Sequence, residues 1–196
     1  MTTILGDMPV VKSGPVVGPA VDAVRPGTDA LTPWVTLGAE PGVAPPGVER
    51  LRALLNTDDR FHGVDHLRGR GPQPLTELRD ALRAYLTAHD GAALAQVAAA
   101  HPLVLAVDGG LRLVPVADEP VAAAVGALLA ELHAAQASGE WLRLKACANP
   151  DCQWVYYDAS RNRSGRWCSM GECGDVMKAR AYRLRTRGAA APSGAV

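Results

Sequence analysis

Apolar residues recur at helical spacing in four stretches of the chain. The spacing predicts helices over residues 47–57, 74–86, 92–100 and 120–138. Pro74 and Pro120 suit the first turns of the second and fourth helices, because proline lacks the N–H that is unsatisfied there anyway. Asp118 or Glu119 can accept hydrogen bonds at the start of the longest helix, and Gly139 is placed to end it.

The second predicted helix has an apolar stripe and a charged side. Leu78 and Leu82 belong to the stripe and should face the core, whereas Arg79 and Arg83 should face solvent. Phe61 is the only phenylalanine of the chain, and we expect its ring to fill a place in the core.

Two apolar runs flank an Asp-Gly turn between the third and fourth helices. Leu103–Val107 and Leu111–Val116 lie on either side of Asp108-Gly109-Gly110, which favours a β-hairpin at 103–116. Pro115 cannot donate to a ladder and belongs at a strand end or edge. The fold class predicted is therefore α+β, with a mostly helical N-terminal domain at 48–140 that carries the hairpin.

The two ends of the chain differ from this domain. Residues 1–47 carry eight prolines and seven glycines with little helical periodicity, which predicts an extended or partly disordered arm. Residues 188–196 are expected to be a disordered tail.

No apolar run approaches the length of a membrane span, and no secretory signal is apparent. We therefore expect a cytoplasmic protein that does not cross a membrane.

All four cysteines lie in the C-terminal part of the chain, in two pairs: Cys147 with Cys152, and Cys168 with Cys173. Each pair has four residues between its cysteines, and 15 residues separate the pairs. Two loops that each present two thiolates can converge on one tetrahedral Zn²⁺ ion. Four thiolates leave no position for water, which predicts a structural rather than a catalytic ion. The alternatives are four unrelated buried thiols or two disulfides, although a disulfide framework is typical of small secreted domains.

The basic residues of the chain are concentrated in the cysteine-bearing segment. The chain holds 20 basic and 20 acidic residues, but residues 141–187 hold ten basic and four acidic ones, a net charge of +6. This distribution favours an anionic partner for the segment, and the alternative is a cationic surface that meets only solvent or the acidic remainder of the chain.

A C-terminal helix is predicted from about Asp175, a good N-cap residue, to Arg187. Met177, Ala181 and Leu184 would share a narrow apolar seam that docks on the zinc module. Cations of this helix and of the loop before it are the candidate nucleic-acid contacts. They are Arg161, Arg163, Arg166, Lys178, Arg180, Arg183, Arg185 and Arg187.

Residues 143–187 resemble the CGNR zinc finger. The matching residues are the four cysteines, Trp154 to Asp158, Ser160 to Asn162, Arg166 to Met170, Gly174 and the cations of the last helix. The resemblance implies a treble-clef-like module that binds DNA. The name-giving motif reads Cys173-Gly174-Asp175-Val176 here. Asp for Asn adds a negative charge and Val for Arg removes a cation, and both changes weaken anion binding.

CGNR fingers usually follow an ABATE domain in stress-induced transcription regulators. Residues 48–140 are similar to that domain through Leu55-Asn56-Thr57, the Leu78–Leu86 helix and the hairpin before the long helix. The resemblance implies a DNA-binding regulator whose upstream domain senses a small-molecule effector or mediates assembly. A homodimer would help, because one finger offers a small interface to DNA.

Two other classes of function remain open at this point. The first alternative is a protein-interaction or ligand-binding protein whose zinc module is only structural. An enzyme is not expected, because the sequence has no nucleophile elbow, Walker loop or Rossmann fingerprint.

Overall fold

The structure is a computed structural model that describes residues 44–107 and 109–189. Five helices lie in this range: α1 Pro46–Asn56, α2 Gln73–Ala88, α3 Ala92–Ala100, α4 Pro120–Ala137 and α5 Asp175–Ala189. Three antiparallel strand pairs accompany them: β1 Asp58–Asp59 with β2 Val64–Asp65, β3 Leu103–Val107 with β4 Leu111–Pro115, and β5 Leu144–Ala146 with β6 Val155–Tyr157. A 3₁₀ turn, Glu140–Arg143, precedes β5, and a π-helical turn, Met170–Gly174, precedes α5. The fold is thus a mixture of helices and small sheets.

The predicted helices and the hairpin are confirmed to within a few residues. Pro115 ends β4, and Glu119 is the N-cap residue of α4, where its Oε2 accepts from the backbone N of Ala122 at 2.8 Å. Gly139 follows α4 with φ 78°, a conformation that glycine adopts at little cost. The arm predicted for residues 1–47 falls mostly on residues 1–43, which lie outside the described residues. Of the tail predicted for residues 188–196, the part from residue 190 onward also lies outside the described residues, whereas residues 188 and 189 still belong to α5.

Helix α4 lies at the centre of the core. Its Val125 and Leu128 are fully buried in a cluster with apolar residues of α1 and α2. The same cluster includes Trp141, Leu144 and Val155, which come from the segment that bears the cysteines. The first strand pair of that segment therefore packs directly on the helices.

α4 is also the one helix of the described residues that is long and apolar enough to cross a membrane. Core helices commonly meet the same criterion, and 39% of this helix is buried inside the protein. Its Glu131 pairs with Arg50 of α1 at 2.8 Å, which ties it to the rest of the fold.

The prediction that Arg79 and Arg83 face solvent is wrong. Their exposed fractions are only 2% and 5%. Arg79 donates to both carboxylate oxygens of Asp65 on β2, at 2.6 and 3.0 Å, while Arg83 donates to the carbonyl oxygens of Leu55 and Gln153. Burial lowers the pKa of Arg83 to about 10, so it is still charged at neutral pH. These acceptors come from three separate places: Asp65 from β2, Leu55 from α1 and Gln153 from the loop before β6.

The prediction for Phe61 is also wrong, because its side chain is 48% exposed. The residue lies between β1 and β2, and its ring packs edge-on against that of His62, with the ring centres 5.0 Å apart. Leu67, a few residues later, is the fully buried apolar residue of this region.

Candidate metal centre

The first cysteine pair lies on a tight loop between β5 and β6. The backbone N of Cys147 donates to the carbonyl of Trp154 at 2.8 Å, which closes the loop. Inside it, Cys152 and Gln153 donate their backbone N–H groups to the carbonyl of Asn149, at 2.9 and 3.1 Å. Gln153 has φ 51°, in the left-handed region, and this reverses the chain toward β6.

Asn149 also connects this loop to the second cysteine pair. Its side chain is buried, and its Nδ2 lies 3.5 Å from the Sγ of Cys173. An N–H group directed at a sulfur stabilises the thiolate over the thiol, because it interacts more strongly with the charged form. The amide therefore supports a metal ligand without being one.

The second cysteine pair lies at the start of the last helix. Ser169 caps the π-helical turn, since its Oγ accepts from the backbone N of Glu172 at 3.3 Å. A Cβ on Gly174 would lie 2.6 Å from the Met170 sulfur and 3.2 Å from Cδ1 of Trp167, so a larger residue here would displace the Met170 side chain. The turn places Cys173 in the interior, where its side chain is buried.

The last helix starts at Asp175, as predicted, but the prediction that Asp175 caps it is wrong. Asp175 already has helical backbone angles, φ −70° and ψ −37°, because the π-helical turn continues directly into α5. Its carboxylate instead pairs with Lys178 on the helix surface, at 3.4 Å. The capping side chain is instead that of Ser169, six residues before Asp175, at the start of the π-helical turn.

The four cysteine sulfurs lie within 4.8 Å of one another. The Sγ of Cys168 is 3.7 Å from that of Cys152 and 3.8 Å from that of Cys173. Four sulfurs at the usual Zn–S distance of about 2.3 Å in a tetrahedron would be about 3.8 Å apart. All four cysteines are free, and these separations are almost twice the length of about 2 Å that a disulfide needs. The disulfide alternative is therefore excluded, and the site fits a structural Zn²⁺ ion held by all four cysteines.

The crowding of the four sulfurs affects their protonation. Hydrogen bonds from Cys152 and Cys168 lower the pKa of the Cys147 thiol to about 3, whereas the interaction with Cys147 raises the pKa of Cys168. The opposite directions arise because adjacent thiolates repel each other. A bound Zn²⁺ ion supplies the positive charge that lets all four ionise together.

Asp158 organises the loop between β6 and the second cysteine pair. Its Oδ2 accepts from Lys145 Nζ at 2.7 Å and from the backbone N of Gly165 at 2.9 Å, and its Oδ1 accepts from the backbone N of Ser160 at 3.0 Å. A Cβ on Gly165 would lie 2.9 Å from Oδ2, so glycine permits this close approach. Burial would raise the pKa of Asp158, but hydrogen bonds from Lys145 and Ser160 outweigh it and hold that pKa well below its usual range.

Helix α5 projects into solvent beyond its first turn. Met177 is partly buried, but Ala181 is exposed and Leu184 is 71% exposed. The predicted docking of an apolar seam on the zinc module is therefore wrong beyond Met177. The main packing partner of α5 is the π-helical turn from which it grows.

The structure places all eight candidate nucleic-acid contacts on the surface. Two of them are paired with acids: Lys178 with Asp175, and Arg180 with Asp151 at 2.6 Å. The other six make no ion pair with an acidic side chain in the part of the chain that the structure describes; they are Arg161, Arg163 and Arg166 of the loop and Arg183, Arg185 and Arg187 of α5. The Arg166 guanidinium lies 5.2 Å from the centre of the Trp167 ring, next to the start of α5.

The spacing of the cysteines predicts the four ligands, but it does not reveal the residues that support them. Asn149 and Asp158 act through partners up to 24 residues away, and spacing alone contains no signal for such pairs. Their roles are visible only once the two loops are brought together.

Comparison with known proteins bears on this segment. No curated protein matches the chain. The family model of the CGNR zinc finger matches residues 143–186, which contain all four cysteines, Asn149 and Asp158. The sequence resemblance of this segment is thus confirmed, and residues 143–186 are a CGNR zinc finger whose four cysteines are positioned to bind a metal ion.

Proposed function

We propose that the chain is a DNA-binding transcription regulator whose treble-clef-like finger contacts the phosphate backbone. The observation that carries the proposal is the set of six exposed arginines without an acidic partner among the described residues, three on the loop at 160–166 and three on α5. Cations that already have a protein carboxylate must break that pair to bind phosphate, whereas these six need not. Arginine also suits bidentate contacts to phosphate or guanine.

The two cationic elements are held in a defined relation. Asp158 fixes the loop by accepting from Gly165 and Lys145, and the loop ends with Arg166 over Trp167. Trp167 in turn lies close to Gly174, at the base of α5. An ordered loop and helix lose less conformational entropy on binding DNA than flexible segments would.

Residues 48–140 have a separate role in this proposal. We assign them the sensing of a small-molecule effector or the assembly of a homodimer, by their similarity to the ABATE domain. The regulator would act in the cytoplasm and would catalyse no reaction. A second copy of the finger would raise affinity for DNA without any change in the contacts of the first.

The proposal is tested by fluorescence anisotropy of a labelled random duplex with the zinc-loaded protein, over a range of salt concentrations. Binding should weaken steeply with salt, and each lost phosphate contact should reduce the log–log slope by about 0.9. The double variant Arg183→Gln/Arg187→Gln should therefore bind more weakly, with a slope smaller by about 1.8.

The matched control is Arg68→Gln/Arg70→Gln, which removes two exposed cations from the helical part of the chain. It should leave both affinity and slope nearly unchanged. Equal losses in the two double variants would mean that net charge, and not the finger, is responsible. No binding at low salt would contradict the proposal.

A protein partner is the second candidate, and one observation favours it. Helix α5 exposes apolar side chains between its cations: Tyr182 is 63% exposed, and Val176 and Leu184 are also exposed. The variant Leu184→Gln should retain DNA affinity if α5 binds phosphate. The second candidate would be supported if a partner protein co-purifies with the unmodified chain but not with Leu184→Gln, and if neither form of the chain binds DNA.

A further inference from the structure

Helix α3 is apolar over almost its whole length, yet none of its side chains is buried. Eight of its nine residues are alanine, leucine or valine. Leu94 and Val97 are half-buried, while Ala95 and Ala98 are exposed. A helix of this composition normally covers a core. Here Leu94 and Val97 pack against the core only in part, and Leu94, Ala95 and Ala98 line an open space next to α4 and the hairpin.

The space beside α3 is a cavity of about 460 Å³. Ligand sites for small molecules are commonly apolar cavities of about 300–1,000 Å³. The aliphatic part of its wall comes from three elements: Leu94, Ala95 and Ala98 of α3, Leu103 and Leu113 of the hairpin, and Leu129 and Leu132 of α4. The two alanines create the volume, because larger side chains at these positions would fill it.

Four polar side chains also line the cavity: Tyr85, His101, His133 and Gln136. Gln136 Nε2 donates to the hydroxyl oxygen of Tyr85 at 2.9 Å, which leaves the Tyr85 proton and the second amide proton for another acceptor. None of the lining residues is an aspartate or a glutamate. The two free donors favour a ligand whose head group accepts hydrogen bonds, and no carboxylate of the lining would repel an anionic one.

We propose that this cavity binds a small organic acid, with an aliphatic chain against α3, α4 and the hairpin and a carboxylate at Tyr85 and Gln136. The site gives the effector assigned to residues 48–140 a location and a chemical class. In that respect it rests on the proposed function. Its test uses no DNA, so the two proposals can fail separately.

The test is calorimetric titration of the zinc-loaded full chain with octanoate. Butanoate and octan-1-ol are the comparison ligands. Octanoate should bind more tightly than butanoate, by up to about four-fold for each additional buried methylene. Octan-1-ol should bind at least about ten-fold more weakly than octanoate, because it lacks the charged acceptor. Absence of octanoate binding, or equal binding of octanoate and butanoate, would overturn the proposal.

Two variants of α3 locate the binding site. Ala98→Leu should fill the cavity and weaken octanoate binding at least about ten-fold. Ala99→Leu makes the same change at an exposed position that does not line the cavity, and it should bind octanoate as the unmodified protein does. Unchanged binding by Ala98→Leu would place octanoate elsewhere, for example on the exposed apolar tip of the hairpin, and would overturn the proposal.

A third variant tests the head group and does not depend on filling the cavity. Tyr85→Phe removes one hydroxyl and should weaken octanoate binding while butanoate and octan-1-ol stay weak. Retained zinc and an unchanged circular dichroism spectrum show that each variant is folded. Octanoate binding unaffected by Tyr85→Phe would contradict the placement of the carboxylate.

Discussion

The side-chain amide of Asn56 pairs with both backbone polar groups of Val155. Nδ2 donates to the Val155 carbonyl at 2.8 Å, and the Val155 N–H donates to Oδ1 at 2.8 Å. Both residues are buried, and they lie 99 positions apart in the chain. The end of α1 thus supplies to β6 the pairing that a further strand would provide.

Replacing Asn56 by alanine should destabilise the protein by about 2–4 kcal/mol. The change leaves two buried backbone groups unpaired, at about 1–3 kcal/mol each, and water can relieve part of this cost. Chemical denaturation followed by circular dichroism measures the loss. Asn162→Ala, at an exposed position of the loop, is the control and should cost less than about 0.5 kcal/mol. Equal effects in the two variants would contradict the role of the Asn56 pairing.

Replacing Asn149 by alanine should weaken zinc binding by about 10–100-fold, as loss of a group that supports a metal ligand commonly does. The variant loses the N–H group directed at the Cys173 sulfur and keeps all four cysteines. Competition with a chromophoric chelator measures the affinity. Unchanged affinity would mean that the contact with the sulfur contributes nothing to the free energy of zinc binding. Asn162→Ala is again the control.

Replacing Asp158 by asparagine should loosen the loop that carries Arg161, Arg163 and Arg166. Trypsin should cleave after these arginines at least several-fold faster, because the loop loses its charged acceptor for Lys145 and Gly165. Asp175→Asn removes an exposed carboxylate of the same finger and should leave cleavage in this loop unchanged. Equal cleavage in both variants would contradict the role of Asp158.

The pH dependence of this loop follows from the pKa of Asp158, which lies well below its usual range. A depressed pKa in the folded state adds stability that is fully present above the unfolded-state value of about 3.9 and is lost as pH falls toward the folded-state value. Trypsin protection should therefore be constant from about pH 6 to 8. A steady loss of protection across that range, with zinc retained, would show that another group controls the loop.

Under the proposed function, replacing Asp151 by asparagine should tighten DNA binding and make its salt dependence steeper by up to about 0.9 in log–log slope. Arg180 is held by Asp151 at 2.6 Å, and the variant releases it for a phosphate. The gain should be modest, since exposed ion pairs contribute only about 0–1 kcal/mol. Asp118→Asn changes the net charge equally, far from the finger in sequence, and should leave the slope unchanged. Equal gains in both variants would contradict the assignment of Arg180.

The sequence predicts well those features whose signal is local. Pro120, Glu119 and Gly139 delimit α4 because caps and breakers act within one turn of the chain. The spacing of the cysteines likewise predicts a metal site, since two short loops are enough to bring four sulfurs together.

Features that depend on distant partners are not predicted. Arg79 is charged and lies beside the apolar stripe of α2, so its burial depends on Asp65, which the fold brings close from outside the helix. The seam of α5 has the correct periodicity, but periodicity does not show whether any surface is present to cover Leu184. In both cases the side-chain type is an inadequate guide because a partner, or its absence, decides the burial.

Helix α5 is attached to the rest of the protein mainly at one end, so a small rotation at that end produces a large displacement at the other. It has 15 residues and extends for roughly 22 Å, and it is held mainly at its first turn. The finger behind that turn shares its core with the helices through Trp141, Leu144 and Val155. A rotation of the finger by about 10° would displace the far end of such a helix by roughly 4 Å, which exceeds the length of a hydrogen bond. Small shifts in the packing of the helical core would therefore cause larger displacements of Arg187, the cation of α5 that lies farthest from its first turn.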